Sequence, residues 1–375
     1  MPYPNPTPAT GRYRFFEYDV TSAVVIRPLE EEVWSNIRLL RVEEVCLGQL
    51  RQRRSSTGRR GRLSGIASNI RSCVTQAEEY FWLALKASPR AAPLLHYYSM
   101  LNLTKALVYL EAPRRLERDR DLLHGLTDPK RVKKASATFA LDRERLIVKG
   151  GVFRSLYYVL TGEEIARQTS LNIMELLRYC TWVTNEVESI GIMCRLIDAG
   201  LSIAEDTGAR RVWLTAEIDR DYLRRHCGSI ETFESEAPSF TQVFGRVRAD
   251  HPGQLKYESN PIPYATGRAQ SAAISDLRRN ARPLRLYRHI RNDDSETAAH
   301  MIPLDSDGGR PLPEPCVLLA IAFYLGSLVR YQPHVYDYLL GTEEAWLLEA
   351  FVRQCPLAFS YSLLNHFWRT EHLFS

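Results

Sequence analysis

Residues 76–110 read QAEEYFWLALKASPRAAPLLHYYSMLNLTKALVYL, and this stretch decides the fold. It holds two apolar runs of helical length, broken at Ser88-Pro89. In the first, Ala77, Tyr80, Phe81, Ala84 and Leu85 recur at i, i+3, i+4, i+7 and i+8, which lines up one apolar face. Pro89 disfavours helix at the residue before it, so the run ends there. Pro93 fits the first turn of the second helix, where a missing N–H leaves no bond unmade. Leu95, Met100, Leu103, Ala106 and Leu107 are core candidates of that second helix.

Tyr98, Asn102, Lys105 and Tyr109 fall along one line of the same helix. Burying an amide and an ammonium there costs several kcal/mol unless they are bonded or paired. Either Asn102 ties neighbouring backbone while Lys105 snorkels outward, or the polar line Tyr98, Asn102, Lys105 faces a pocket. The natural packing partner of this hairpin is the apolar run Val317 to Val329, far away in the chain. The expected fold is therefore mainly α, a discontinuous helical bundle carrying a smaller α+β, β-rich insertion. The expected divisions are 1–208 for an N-terminal arm and helical domain, 209–314 for the insertion, and 315–375 for the helices that complete the core.

Outward from the hairpin, residues 1–10 are Pro-rich and predict an extended arm, and Ser22 to Ile26 a short strand. Leu29 to Leu50 reads as helix, with Glu30 to Glu32 at the positive end of its dipole. Arg51 to Arg62, RQRRSSTGRRGR, is a basic loop. It is either a solvated segment or an arginine arm for a polyanion, in which Arg51, Arg53, Arg54, Arg59 and Arg60 would contact phosphates. His124-Gly125-Leu126 reads as a turn, and Gly150-Gly151 stops a strand ending near Val148. Leu171 to Leu201 reads as a long helical region that continues from Ile192 to Ile203. Val212, Leu214, Ala216 and Ile218 alternate with polar residues, a strand pattern of period two. Phe240 to Val247 and Leu255 to Tyr257 are further strand candidates. PLRLYRHIR, residues 283–291, read as a strand, sets Arg285, Tyr287, His289 and Arg291 on one face, which is either solvated or able to hold phosphates and stack a base.

The chain has 375 residues, 45% hydrophobic and 25% charged, with a net charge of +5. This is a globular composition whose mild basicity permits a phosphate-bearing partner without requiring one. Seven scattered cysteines without a CxxC pair signal neither zinc nor a disulfide framework, and fit reduced thiols in a cytoplasmic setting. No apolar signal segment opens the chain, and the run between Pro315 and Arg330 is shorter than the roughly 20 residues of a membrane span. No Walker, GxGxxG, HExxH or GxSxG motif occurs, and no cofactor or metal is expected.

YFWLALKASPRAAPLLHYYSMLNLTKALVYL, HGLTDP with LIVKGGVFRSLYYVL, and YLGSLVRYQPHVYDYLL together resemble the bacterial YaaC-like proteins. That resemblance spans the helical parts and implies a fold order rather than a reaction. YYSMLNLTKAL also resembles a helix of HEPN bundles, which include RNA-cleaving toxins and non-catalytic binding modules. The HEPN resemblance implies a metal-independent ribonuclease of a bacterial defence setting. Its catalytic pair would be Arg330, stabilising phosphate charge, and His334, an acid or base toward a ribose 2′-OH. Only three residues separate them, a closer spacing than that type uses. The structural alternative is Arg330 capping exposed carbonyls. Expected partners are RNA or DNA, or else a protein docking on the insertion of a non-enzymatic scaffold.

Overall fold

Two helices, Arg60–Lys86 and Ala92–Glu111, form the hairpin that the sequence predicts, with the reversal at Ser88-Pro89. The amides of Ala91 and Ala92 both donate to the Ser88 carbonyl, and Pro93 sits in the first turn of the second helix. Ser99 Oγ donates to the Ala77 carbonyl at 2.7 Å and ties the two helices together. The buried face of the first is Val74, Ala77, Phe81 and Ala84, whereas Leu85 is exposed. Each large apolar side chain fully buried there contributes about 2 kcal/mol.

The computed structural model describes residues 10–23, 27–53, 60–129, 141–249, 251–265, 267–288, 298–305 and 311–374. It comprises two units, each discontinuous in sequence. One is Val20–Cys194 with Leu312–Ser375; the other is Met1–Asp19 with Arg195–Pro311. The expected boundaries of 209 and 314 compare with 195 and 311.

In the helical unit, the apolar helix Glu314–Tyr331 and the C-terminal helix Ala345–Trp368 both pack on Ala92–Glu111. Phe323 meets Tyr97 edge-on at 5.6 Å, and a Cβ placed on Gly326 would lie 3.2 Å from the Tyr97 Cβ. Tyr336 OH donates to the Pro89 carbonyl at 3.2 Å, and Arg90 pairs with Asp337 at 2.6 Å. Glu314–Tyr331 is apolar and long enough to cross a membrane, but 78% of it is buried inside the fold. Its apolar surface is used as core.

In the β-rich unit, an antiparallel sheet runs in the order Tyr287–Arg288, Ala298–Pro303, Leu196–Asp206, Arg211–Asp219, Gln254–Ser259, Phe244–Val247. Thr10–Arg14 adds to Leu196–Asp206, and Ile262–Pro263 to Arg211–Asp219. Val212, Leu214, Ala216 and Ile218 face the core with Phe233, Phe240 and Leu277, as their alternation predicts. The region read as helix through Ile203 is instead the strand Leu196–Asp206. It is buried along almost its whole length, so it lacks the alternation that marks a half-exposed strand. Short helices, Ile173–Arg178 and Thr184–Ser189, replace the long helix expected before it. Phe240 to Val247 divides into the helix Pro238–Val243 and the strand Phe244–Val247.

Candidate functional site

Three segments distant in sequence converge in the helical unit. Helix Ala92–Glu111 contributes Tyr98, Asn102 and Lys105; the loop before strand Leu126–Thr127 contributes His124; the end of helix Glu314–Tyr331 contributes Arg330. Arg330 Nη1 donates to Tyr98 OH at 2.9 Å, and its guanidinium lies 4.9 Å from the centre of the Tyr331 ring. Tyr98 packs between Tyr80 and Tyr97, with ring centres 5.5 and 5.4 Å away. The His124 ring rests on Phe323 at 4.7 Å, and the Leu126 amide donates to its Nδ1 at 3.3 Å.

The position of His124 is set by backbone that only glycine permits. Gly125 and Gly151 have φ of +88° and +59°. A Cβ on Gly125 would stand 1.7 Å from the Gly150 carbonyl oxygen, and one on Gly151 would stand 2.1 Å from that of Leu123. The amides of Val152 and Phe153, opening helix Gly151–Thr161, donate to the carbonyls of Leu123 and His124. The loop is thus clamped to the first turn of a helix. The sequence reading took His124 as part of a turn. The signal that could have found it is the pairing of His124-Gly125 with Gly150-Gly151, two glycine sites that permit a close backbone crossing.

The electrostatics favour an anion. Among the described residues, no carboxylate lies within ion-pair distance of Lys105 or Arg330, although Lys105 is half-buried. Asn102 is 7% exposed, and its side chain makes no hydrogen bond to the described residues. The polar line therefore does not tie neighbouring backbone together. His124 is held below the ordinary imidazole range, first by loss of water against Phe323 and then by Arg330 and Lys105; a backbone contact with Leu126 opposes this. Two cations, an amide and a phenol could bind phosphate oxygens, and a neutral imidazole beside them could accept a proton.

The remaining expected site residues fall elsewhere. His334 is exposed on the next helix, Pro333–Leu339, beyond the break at Gln332. Arg330 is engaged with Tyr98 rather than capping carbonyls.

Arg53 is no free phosphate contact. Its side chain is 4% exposed, pairs with Glu111 at 2.6 Å, and donates to the Phe367 carbonyl at 2.5 Å. Arg51 is exposed at the end of helix Glu43–Arg53. Arg54 and Arg59 lie outside the described residues, as does the side chain of Arg60 at the start of its helix. The basic face over 285–291 is not open as expected. Arg285, 9% exposed and in the left-handed region, donates to the Pro311 carbonyl, and Tyr287 is 1% exposed. The chain turns at Arg285 instead of continuing a strand. His289 and Arg291 lie outside the described residues. Among the described residues, no cluster of three His, Cys, Asp or Glu side chains is placed to hold a metal.

A mainly helical protein with an antiparallel β-rich unit and a cation cluster built from three separated blocks is the class these observations define. The sequence matches the YaaC-like protein family over residues 59–367, a span that includes all three blocks, and the chain belongs to that family. No curated protein and no solved structure matches it. None of these comparisons supports the HEPN resemblance.

Proposed function

We propose that the protein binds a phosphate-bearing polyanion, with single-stranded nucleic acid the first to test, at the cluster formed by Lys105, His124 and Arg330. The observation supporting this reading is the gathering of two cations without a carboxylate counter-ion, beside a nearly buried Asn102 with no hydrogen bond among the described residues. A phosphate would supply the missing charge and acceptors. The aromatic groups beside the cluster suit a nucleic acid: Tyr331, 65% exposed under the Arg330 guanidinium, offers a ring face to a base.

Fluorescence polarisation with a labelled single-stranded RNA tests this. Affinity should fall steeply with salt. Lys105→Gln and Arg330→Gln should each weaken binding and flatten the salt dependence by about 0.7 per phosphate contact removed. Salt-independent binding, or binding unaltered in both variants, would refute the proposal. Cleavage of the bound strand is the finer reading. On that reading, Arg330→Ala and His334→Ala abolish cutting at unchanged Tm, and His124→Ala shows whether the neutral imidazole is the base instead.

A further inference from the structure

The β-rich unit contains a separate, half-open cavity of about 400 Å³. It lies among the starts of helices Arg220–Cys227 and Ile230–Glu236, the strand Phe244–Val247, and the start of the strand Gln254–Ser259. Its polar lining is Arg220, Arg246, Arg248, His251 and Gln254, with Ile230 supplying an apolar patch. Among the described residues no carboxylate lines it.

Of the three arginines, Arg246 has carboxylates near it: it shares Glu234 at 3.6 Å, near the outer limit of an ion pair, with Tyr257 OH, which donates to Glu234 at 3.0 Å, and it attracts Glu231. Arg248 is exposed and makes no ion pair among the described residues. Arg220 uses its backbone N–H on the Gly253 carbonyl at 3.0 Å, while its Nε is buried with no hydrogen-bond partner. A buried guanidinium N–H without an acceptor is uncommon in a folded chain, because it has lost its water and gained nothing in return.

We infer that this cavity binds the phosphate end of a small phosphorylated ligand of nucleotide size. The volume falls in the range of small-molecule sites. Guanidinium groups present paired donors that match phosphate oxygens, and Arg220 Nε is a donor awaiting one. Gln254 and His251 add polar groups able to orient the rest of the molecule.

Isothermal titration calorimetry of the full chain with pyrophosphate and with ADP tests the assignment. At least one should bind, and Arg248→Gln should weaken it at least about tenfold. Arg220→Gln should weaken it as much. If that variant fails to fold, Arg248→Gln, altering an exposed side chain, still decides. Titration in the Lys105→Gln background removes any contribution from the cluster of the helical unit, and Arg248→Gln should weaken the binding that remains. Absence of binding by both ligands, or binding that survives Arg248→Gln, overturns the inference. Single-stranded RNA bound through Arg248 while pyrophosphate and ADP are ignored overturns it too.

Discussion

Two groups of cationic side chains in the helical unit use similar chemistry to opposite ends. Around Arg53, every donor has somewhere to go: Glu111, which Arg369 also reaches at 2.7 Å; the Gln49 side chain; and the Phe367 carbonyl. Around Lys105 and Arg330, the positive charge has a phenol and a ring face and, among the described residues, no carboxylate within ion-pair distance. The first arrangement fastens helix Glu43–Arg53 to the helices Ala92–Glu111 and Ala345–Trp368. The second leaves charge without a carboxylate partner among the described residues. Counter-ions rather than residue type separate a structural arginine from one available for binding.

The largest effect expected from this contrast is on stability. Arg53→Met leaves the partly buried Glu111 with the exposed Arg369 alone and takes the donor from the Phe367 carbonyl, and should cost about 3 kcal/mol in urea unfolding. A cost below about 1 kcal/mol would erase the distinction between the groups. The next concerns two imidazoles. His96 is buried against Phe81 with Nδ1 unpartnered, and burial lowers its pKa from 6.5 to about 4. Because the folded pKa is the lower one, the unfolded chain takes up the proton first as pH falls. Stability from this group is complete above about pH 6.5, is lost as pH falls toward 4, and changes no further below that. The loss is about 3 kcal/mol. His96→Leu should flatten most of this acid limb and His124→Gln a smaller part of it, since the His124 imidazole is also lowered by loss of water; denaturation across that pH range distinguishes them.

The helical hairpin and its distant partner were legible because a long apolar helix declares itself by period and length. Leu103, Leu107 and the run from Val317 to Leu328 are buried as the pattern requires. The strand Leu196–Asp206 was not, since burial along both faces removes the period that tells strand from helix. Arg53 and Arg285 read as free charge because nothing local announces partners such as Phe367 or Pro311, which only the folded chain supplies. The polar line Tyr98, Asn102, Lys105 was visible, and so was Arg330. Their meeting with His124 was not, because it depends on a glycine crossing between residues 123–125 and 150–153.

That crossing gives the next prediction. Gly125→Ala places a Cβ inside the Gly150 carbonyl and forces a residue with φ near +88° into strain. It should cost about 2 kcal/mol and weaken polyanion binding together, read by thermal melting and polarisation. Smallest in stability, and sharpest for the comparison, are Lys105→Gln and Arg330→Gln. Each should change unfolding free energy by less than about 1 kcal/mol, since neither has a carboxylate partner among the described residues to leave behind, while lowering affinity for single-stranded RNA.

The most direct test is a proton NMR titration of His124, assigned by its loss in His124→Gln. Without ligand, its midpoint should lie below the ordinary imidazole value of 6.5, held down by Phe323 and by the two cations. Adding a short single-stranded RNA should raise the midpoint, because bound phosphate favours the imidazolium and offsets Arg330 and Lys105. A midpoint at or above 6.5 in the free protein, or one that RNA leaves unmoved at saturation, would contradict an anion site at this cluster.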